Sequence, residues 1–327
     1  MRRGLIFRGS DFVAGFFNAV SACLVLLMIM SVGYIMGRLG WMTAREKKFV
    51  SKYIVNIAVP CNCIVGLLNN LDRDSLAHAG WMLVAGLLGV IVTLLISMGV
   101  ATLLRLPKER WGVFVAMSGL SNTLFIGIPV CTQLFGEACM PYVMVYYLAN
   151  TSILQSVGIM LVERSGTARA ANTNTVWGFL KNMFSKPPIF GVIFSIILLI
   201  LGLRLPAPLM SFAGYISNSV SPLALIYCGF IVYEVGLKSL RLLQGLPMML
   251  IMRLVVAPII CLGFCSVFGV SGLARSVFVV ESALPVVSQI TVLAGAYGAD
   301  EKYAATGSCL SIFFSFITIP ILMLILG

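Results

Sequence analysis

An eight-residue motif occurs twice in this chain, once in each half of the sequence. The pattern Y-I-x-N-x-x-x-P at residues 53–60 recurs at residues 215–222, an offset of 162. Each copy lies in a long apolar stretch, where a proline interrupts helical hydrogen bonding and an asparagine offers a polar side chain. Two halves of this kind are typical of secondary transporters, which enclose a polar site near the middle of the membrane. The motif therefore predicts a repeated architecture.

Apolar stretches recur along the whole chain. Hydrophobic residues make up 60% of the sequence and charged residues 10%, which is far from the balance of a soluble domain. About 20 apolar residues suffice to cross a bilayer as a helix. On that criterion the sequence predicts an all-α integral membrane protein with ten transmembrane helices, near residues 12–37, 47–68, 78–104, 110–134, 141–163, 188–204, 209–233, 246–269, 274–298 and 303–326.

The connections between these spans are short, except for a polar segment at residues 164–187. This connector divides the chain into a first repeat, 1–163, and a second, 188–327. Five spans in each repeat give the halves opposite orientations, so a 5+5 inverted repeat is expected. Within the connector, the apolar positions of residues 176–184 are compatible with an interfacial helix or with a plain loop.

The distribution of cations predicts the orientation. Fifteen Lys and Arg residues fall on the side of the odd-numbered loops and six on the other side. The positive-inside rule puts the odd loops and the central connector in the cytoplasm of a cell membrane, and both termini outside. The net charge of +11 is explained by topology and anionic lipid head groups, and nucleic acid is not expected as a partner.

Cysteine and histidine usage argues against metal or enzyme chemistry. Of the nine cysteines, all but Cys139 lie in predicted spans, where they behave as small apolar residues. His78 is the single histidine, so the ligands of a zinc site and the base of a catalytic constellation are missing. We expect no metal, no cofactor and no enzyme activity.

The fourth and ninth spans both contain helix breakers. Gly127 and Pro129 lie in the fourth span and Pro285 lies in the ninth. We expect these residues to interrupt the two helices so that they cross, with Gly127 permitting the bend. Exposed backbone groups and half-helix dipoles at such a crossing are able to hold an ion or an anionic group.

These segments resemble the auxin efflux carrier family. The resemblance rests on N-T-x-x-x-G-I-P at residues 122–129, A-L-P at 283–285, A-V-P at 58–60 and a closing Tyr297, and it runs from the first span to the last. It implies a ten-helix inverted repeat with a scaffold and a moving transport domain. It also implies transport of small organic anions such as auxin-like acids, malate or malonate. The short connector is similar to that of bacterial members.

The resemblance singles out asparagines for substrate binding. In the family, an asparagine at the position of Asn122 faces the substrate carboxylate, and an amide donates two hydrogen bonds while staying neutral. The alternative is a packing hydrogen bond between helices, typically worth about 0.6 kcal/mol. Asn56 and Asn218 lie one turn before a proline, so they are expected either to bind backbone groups that the proline frees or to contact substrate. Ser288 is a further candidate.

Glu281 is the sharpest candidate for binding a coupling ion, H⁺ or Na⁺, because a carboxylate within a span usually faces a cavity or a partner. Plant carriers commonly have a neutral glutamine there, and a second proline where Ile290 stands, so the sequence departs from their pattern at both positions. Glu281 either couples transport or lies near the outer face. Gln289 is a second coupling candidate. Arg253 is either an anion-binding group or a residue whose side chain extends to the interface, about two turns away.

The sequence thus predicts a secondary active transporter that moves a small organic anion by alternating access, with H⁺ or Na⁺ coupling left open. The alternative is a ligand-gated channel or a membrane metabolite sensor. The expected partners are the substrate anion and the lipid bilayer, and a homodimer is left open.

Overall fold

The structure, a computed structural model, describes residues 24–25, 27–70, 80–167, 187–236 and 243–326. Within these ranges the chain is helical, and the only extended pairing is an isolated antiparallel bridge between Ser121 and Val286. The all-α fold expected from the sequence is confirmed for this part of the chain. The expected connector at 164–187, with its candidate interfacial helix, lies almost entirely outside the described residues.

The described helices follow one another in a similar order in the two halves. Those of the first half are α1 (Leu27–Arg38), α2 (Ala44–Asn69), α3 (Gly80–Leu103), α4 (Lys108–Gly119), α5 (Ile128–Phe135) and α6 (Met140–Ser165). Those of the second half are α7 (Pro187–Leu201), α8 (Ala207–Glu234), α9 (Leu246–Val267), α10 (Gly272–Ser282), α11 (Gln289–Tyr297) and α12 (Glu301–Leu326).

Five of these helices, α2, α3, α6, α8 and α9, are long and apolar enough to cross a membrane. A sixth candidate is α12, if its two segments, bent by 43°, form one span. The bend lies between Ser315 and Ile317, because the ring of Pro320 clashes with the carbonyl group one turn earlier. Length and composition of the helices therefore support a multi-pass membrane protein.

Glycines let neighbouring helices touch through their backbones. A Cβ atom at Gly33 of α1 would lie 1.9 Å from the carbonyl oxygen of Ile226 in α8, and one at Gly229 of α8 would lie 1.8 Å from that of Met30 in α1. Neither position has room for a side chain. Close contact through small residues is typical of helices packed in membranes, where dispersion replaces the hydrophobic effect as the driving force.

The helices form two packed groups. In the first group, α2 packs against α7 and α8, and α8 packs against α1. The second group contains α3 to α6 and α9 to α12, with α3 in contact with α4, α6 and α9. The groups meet where α8 packs against α11 and α12, and where α2 packs against α11 and α6.

Three π-helical turns are followed by a proline two residues later. The turns are Ile54–Ala58, Thr123–Gly127 and Met252–Val256, and the prolines are Pro60, Pro129 and Pro258. Each proline thereby occupies the second position of the next α-helical segment, where its missing N–H costs little. Such π-turns are common at functional sites. A fourth π-turn, Leu154–Gly158 in α6, has no proline at that spacing.

Two glycines related by the 162-residue offset end α5 and α11. Gly136 and Gly298 both have φ of 72°, a left-handed value that glycine adopts without a Cβ penalty. The two corresponding helices therefore stop at corresponding positions in the two halves of the sequence.

Candidate functional site

The two broken helices cross through a short stretch of extended backbone. After α4 ends at Gly119, the chain becomes extended at Leu120, and Ser121 pairs with Val286 in the segment that follows α10. The Asn122 N–H donates to the Pro285 carbonyl at 3.0 Å, and the Val287 N–H donates to the Leu120 carbonyl at 3.4 Å. The crossing is thus held by backbone hydrogen bonds between the two halves of the chain.

Side chains from α6 and α12 complete the hydrogen bonding of this crossing. The amide of Asn150 in α6 bonds the Ser121 backbone twice, accepting from its N–H at 3.2 Å and donating to its carbonyl at 3.0 Å. On the other segment, the Val286 N–H donates to the Ser311 hydroxyl in α12 at 3.1 Å. Buried non-helical backbone needs such partners, because no water is available to replace them.

The crossing lies upstream of the expected break in the fourth span. Pro285 lies at the crossing itself, where its carbonyl accepts a hydrogen bond. Gly127 and Pro129 follow it: Gly127 ends the π-turn and Pro129 lies in the first turn of α5. The chain leaves the helix at Leu120 instead, because Ser121 and Asn122 find backbone partners in the opposite half.

Gly127 lets a side chain of another helix approach its backbone closely, and it does not bend the chain. Its backbone is helical, with φ of −63°, so it uses none of the freedom that glycine offers. A Cβ atom at this position would lie 2.3 Å from Oε1 and 2.5 Å from Oε2 of Glu281. The expectation that Gly127 permits a backbone bend is therefore wrong; the glycine makes room for a carboxylate from α10.

Glu281 is fully buried, with 0% exposure, so the alternative in which it reaches the outer surface does not hold. Cys131 of α5 donates its thiol hydrogen to Oε1 at 3.4 Å, and Oε2 has no hydrogen-bond partner. No cation pairs with it among the described residues. An isolated carboxylate is costly in such a place unless a proton or a cation compensates its charge.

Arg253 lies at the crossing and not at the interface. Its side chain is 0% exposed and does not extend to an interface. The guanidinium donates from Nη1 to the Ser118 carbonyl at 3.4 Å and from Nη2 to the Ser282 carbonyl. These carbonyls lie in the last turns of α4 and α10, where helix ends have unpaired acceptors. Those acceptors hold the side chain inside the protein.

Asn122 and Ser288 are buried polar residues at the starts of the second half-helices. Asn122 directly precedes the π-turn that leads into α5, and Ser288 directly precedes α11. They are 2% and 4% exposed. Neither side chain makes a hydrogen bond to the described residues, although both backbones do. Both side chains are free to bind a ligand near the positive end of a helix dipole.

The other candidates are engaged or lie elsewhere. Gln289 and Gln155 exchange amide hydrogen bonds of 3.2 and 3.4 Å. Asn56 is exposed and donates to the Lys52 carbonyl within its own helix at 2.8 Å, which is not the carbonyl that Pro60 frees. Asn218 is exposed at the turn between the two segments of α8.

A cluster of paired charges lies where α2 meets α8 and α12. Lys47 donates to Glu234 at 2.9 Å and to Glu301 at 2.7 Å, and the Tyr227 hydroxyl donates to Glu301 at 2.9 Å. We call these four residues the lysine cluster. It borders a cavity of about 440 Å³, which is also lined by residues of α2 and α11, among them Lys48, Lys52, Asn56 and Tyr297.

The sequence offers Asn150 only as a lesser polar candidate, and sequence reasoning missed Ser311 and the position of Arg253. Their roles depend on contacts with residues that are distant in sequence, so no local pattern reveals them. One signal in the sequence pointed to Arg253. The distance along the chain from Arg253 to Pro258 equals that from Leu124 to Pro129, and Arg253 and Leu124 both lie in π-turns.

Comparisons with known proteins agree with this architecture. A sequence profile of the membrane transport protein family matches residues 18–323. An uncharacterized transporter of Methanocaldococcus jannaschii is 25% identical over 302 residues, covering 91% of this chain and 96% of that protein. An uncharacterized transporter of Methanothermobacter thermautotrophicus is 23% identical over 321 residues, covering 95% of this chain and 99% of that protein.

A mammalian protein is similar as well. The lysosomal cholesterol signaling protein of Mus musculus is 24% identical over 324 residues, which covers 91% of this chain but 36% of the longer mouse protein. The profile match covers nearly the whole chain, and the alignments with the two archaeal transporters cover almost the full length of each. The chain therefore belongs to the membrane transport protein family, the auxin efflux carrier type that its sequence motifs resemble.

Proposed function

We propose that this transporter carries a small organic anion by alternating access and that the anion binds at the crossing of the broken helices. The observation that carries the proposal is a pair of buried polar side chains, Asn122 and Ser288, at the N-terminal ends of the second half-helices, which make no hydrogen bonds to the described residues. Helix N-termini favour anions, and broken helices place them inside the membrane. A carboxylate of the auxin-like, malate or malonate class matches these donors.

The order of helices supports a 5+5 inverted repeat. If α4 and α5 form one broken span, and α10 and α11 another, each half of the chain contains three helices, a broken span and a single helix, in that order. The repeats would then be the expected units 1–163 and 188–327. On the expected orientation, the lysine cluster and its cavity face the cytoplasm.

The two packed groups support a division into scaffold and transport domain. The group of α1, α2, α7 and α8 is the candidate scaffold, and the crossed helices lie in the other group. Movement of the second group against the first would carry the crossing from one side of the membrane to the other. In this arrangement Glu281, buried against Gly127 and Cys131, is our candidate for binding the coupling proton or cation.

A sensor is the rival function. The mouse relative is named for signalling, so a chain of this family is not bound to act as a carrier. Counterflow separates the two functions, because only a carrier exchanges labelled external substrate for unlabelled internal substrate. A thermal-stability screen of the purified protein against small carboxylates would first find the ligand, since ligands that bind the folded state raise its apparent stability.

The experiment is counterflow of the best carboxylate from that screen into proteoliposomes. We expect transient accumulation of label with the wild-type protein and a loss of roughly tenfold or more in affinity with Asn122→Ala, because each hydrogen bond to a charged group contributes about 1.5–3 kcal/mol. The exposed Asn218→Ala is the matched control and should behave as wild type. Binding without counterflow would favour the sensor, and unchanged uptake by Asn122→Ala would move the binding site elsewhere.

A further inference from the structure

Arg253 is the largest side chain that is fully buried in the described part of the protein, and it has no acidic partner there. Its guanidinium instead donates to backbone carbonyls of Ser118 and Ser282, and its Nε–H has no partner. A cation that is buried without a carboxylate is costly. Some feature of its surroundings must therefore compensate the positive charge.

The compensating feature is the pair of helix ends that the guanidinium touches. Ser118 lies in the last turn of α4, and Ser282 is the last residue of α10. Each helix C-terminus carries roughly −0.5 of an elementary charge, so together they balance about one positive charge. Arg253 thus binds to both first half-helices at once and neutralises the negative ends that they direct at the crossing.

The second half-helices present the opposite charge. The chain before α5 and before α11 directs helix N-termini, each worth roughly +0.5 of a charge, at the same crossing. Without Arg253 the four helix ends would cancel. With Arg253, and with a proton or a cation compensating the charge of Glu281, the crossing carries an excess of about one positive charge, which an anion complements.

We infer that Arg253 is the residue that gives this crossing its preference for anions, acting through the helix ends and not by touching the substrate. The inference rests on the proposed function, because it assumes that the substrate binds beside Asn122. Arg253 is in this sense a positioning and specificity-determining residue. Glu281 does not contribute to the pairing, because its oxygens face Gly127 and Cys131.

The test compares acids with their uncharged amides. The probes are the pairs malonate and malonamide, and indole-3-acetate and indole-3-acetamide, measured by equilibrium binding to the full-length protein. For the wild-type protein we expect each acid that binds to do so at least about tenfold more tightly than its amide. Equal affinity for acid and amide would overturn the inference without any variant.

Two substitutions then separate charge from packing. Arg253→Gln removes the charge and keeps a hydrogen-bond donor, so we expect acid binding to weaken by about tenfold or more while amide binding changes less than about twofold. Arg253→Lys keeps the charge and should keep most of the preference. Arg110→Gln is the control, because Arg110 is paired with Asp300 at 2.7 Å, and it should leave the acid-to-amide ratio unchanged.

The outcomes distinguish the inference from the proposed function. Equal loss of acid and amide by a folded Arg253→Gln, or an unchanged ratio, would show that Arg253 only supports the fold and would overturn the inference alone. Failure of the wild-type protein to bind any of the four probes would count against the proposed function as well. Thermal unfolding and size-exclusion profiles establish that the variants are folded; if Arg253→Gln is not, the wild-type ratio and Arg253→Lys decide.

Discussion

The crossing and the lysine cluster differ in how their charged side chains are paired. At the crossing, Arg253 and Glu281 are fully buried, and neither has a partner of opposite charge among the described residues. In the lysine cluster, Lys47 bonds two carboxylates and remains 17% exposed. One region keeps isolated charges against backbone and thiol groups, and the other neutralises its charges locally.

The difference indicates which region responds to a ligand. Partly exposed ion pairs contribute about 0.2–1 kcal/mol and mainly fix geometry. Isolated charges inside a membrane protein are expensive and usually mark a pathway or a site. We therefore propose the crossing as the binding site and the lysine cluster as a contact between two groups of helices. Substitutions in the two regions test this contrast.

The largest effect is expected from Glu281→Gln, which keeps the size of the side chain and removes its ability to ionise. If Glu281 binds the coupling ion, any proton or cation dependence of transport should disappear, because no other isolated carboxylate lies at the described crossing. Uptake assays at different pH values and sodium concentrations measure this proton or cation dependence. Preserved dependence would remove Glu281 from the coupling role.

Asn150→Ala should destabilise the protein strongly. The substitution removes both hydrogen bonds to the Ser121 backbone and leaves a buried N–H and a buried carbonyl without partners. Each such group costs about 1–3 kcal/mol, so the free energy of unfolding should fall by roughly 2–6 kcal/mol. Thermal unfolding in detergent compares it with the exposed Asn218→Ala. Equal melting temperatures would show that the crossing does not depend on Asn150.

Gly127→Ala should have an intermediate effect. Its Cβ would overlap the Glu281 carboxylate, and overpacking of this kind costs about 1–3 kcal/mol. Gly263→Ala in α9 is the matched control, because a Cβ there meets no heavy atom within 4 Å. In a double-mutant cycle, Glu281→Ala should relieve the effect of Gly127→Ala. Additive effects of the two substitutions would contradict the contact.

The smallest effect is expected from Glu301→Gln in the lysine cluster. The variant retains an acceptor for the Tyr227 hydroxyl and loses one ion pair with Lys47, which still has Glu234. Stability should fall by no more than about 1 kcal/mol, and carboxylate affinity should not change. A tenfold loss of affinity, measured by the same binding assay, would give the cluster a part in ligand binding.

The sequence predicted that two helices break, but the location of the break depended on distant residues. Proline marks positions without a donor, and Pro285 does lie at the crossing. Pro129 does not, because the first turn of a helix tolerates proline and the preceding π-turn absorbs the change. The exit at Leu120 depends on pairing with residues more than 160 positions away, which no local pattern contains.

The candidate site was also predictable only in part, because some of its contacts join residues that are distant in sequence. Asn122 was chosen through a family resemblance, and the structure places it at the crossing, where its side chain makes no hydrogen bond to the described residues. Arg253 was misplaced, because its distance from the end of the span favoured the interface. The carbonyl groups that bind it belong to α4 and α10, and only the folded chain brings those helix ends together.

The most direct test of this account is the location of a bound ligand. A crystal structure of the protein with a brominated carboxylate, chosen from the thermal-stability screen, would locate the ligand by the anomalous signal of bromine. We predict that the carboxylate lies against Asn122 at the crossing, close to the N-terminal ends of the second half-helices. A ligand found only in the cavity of the lysine cluster, beside Lys48 and Lys52, would contradict the account.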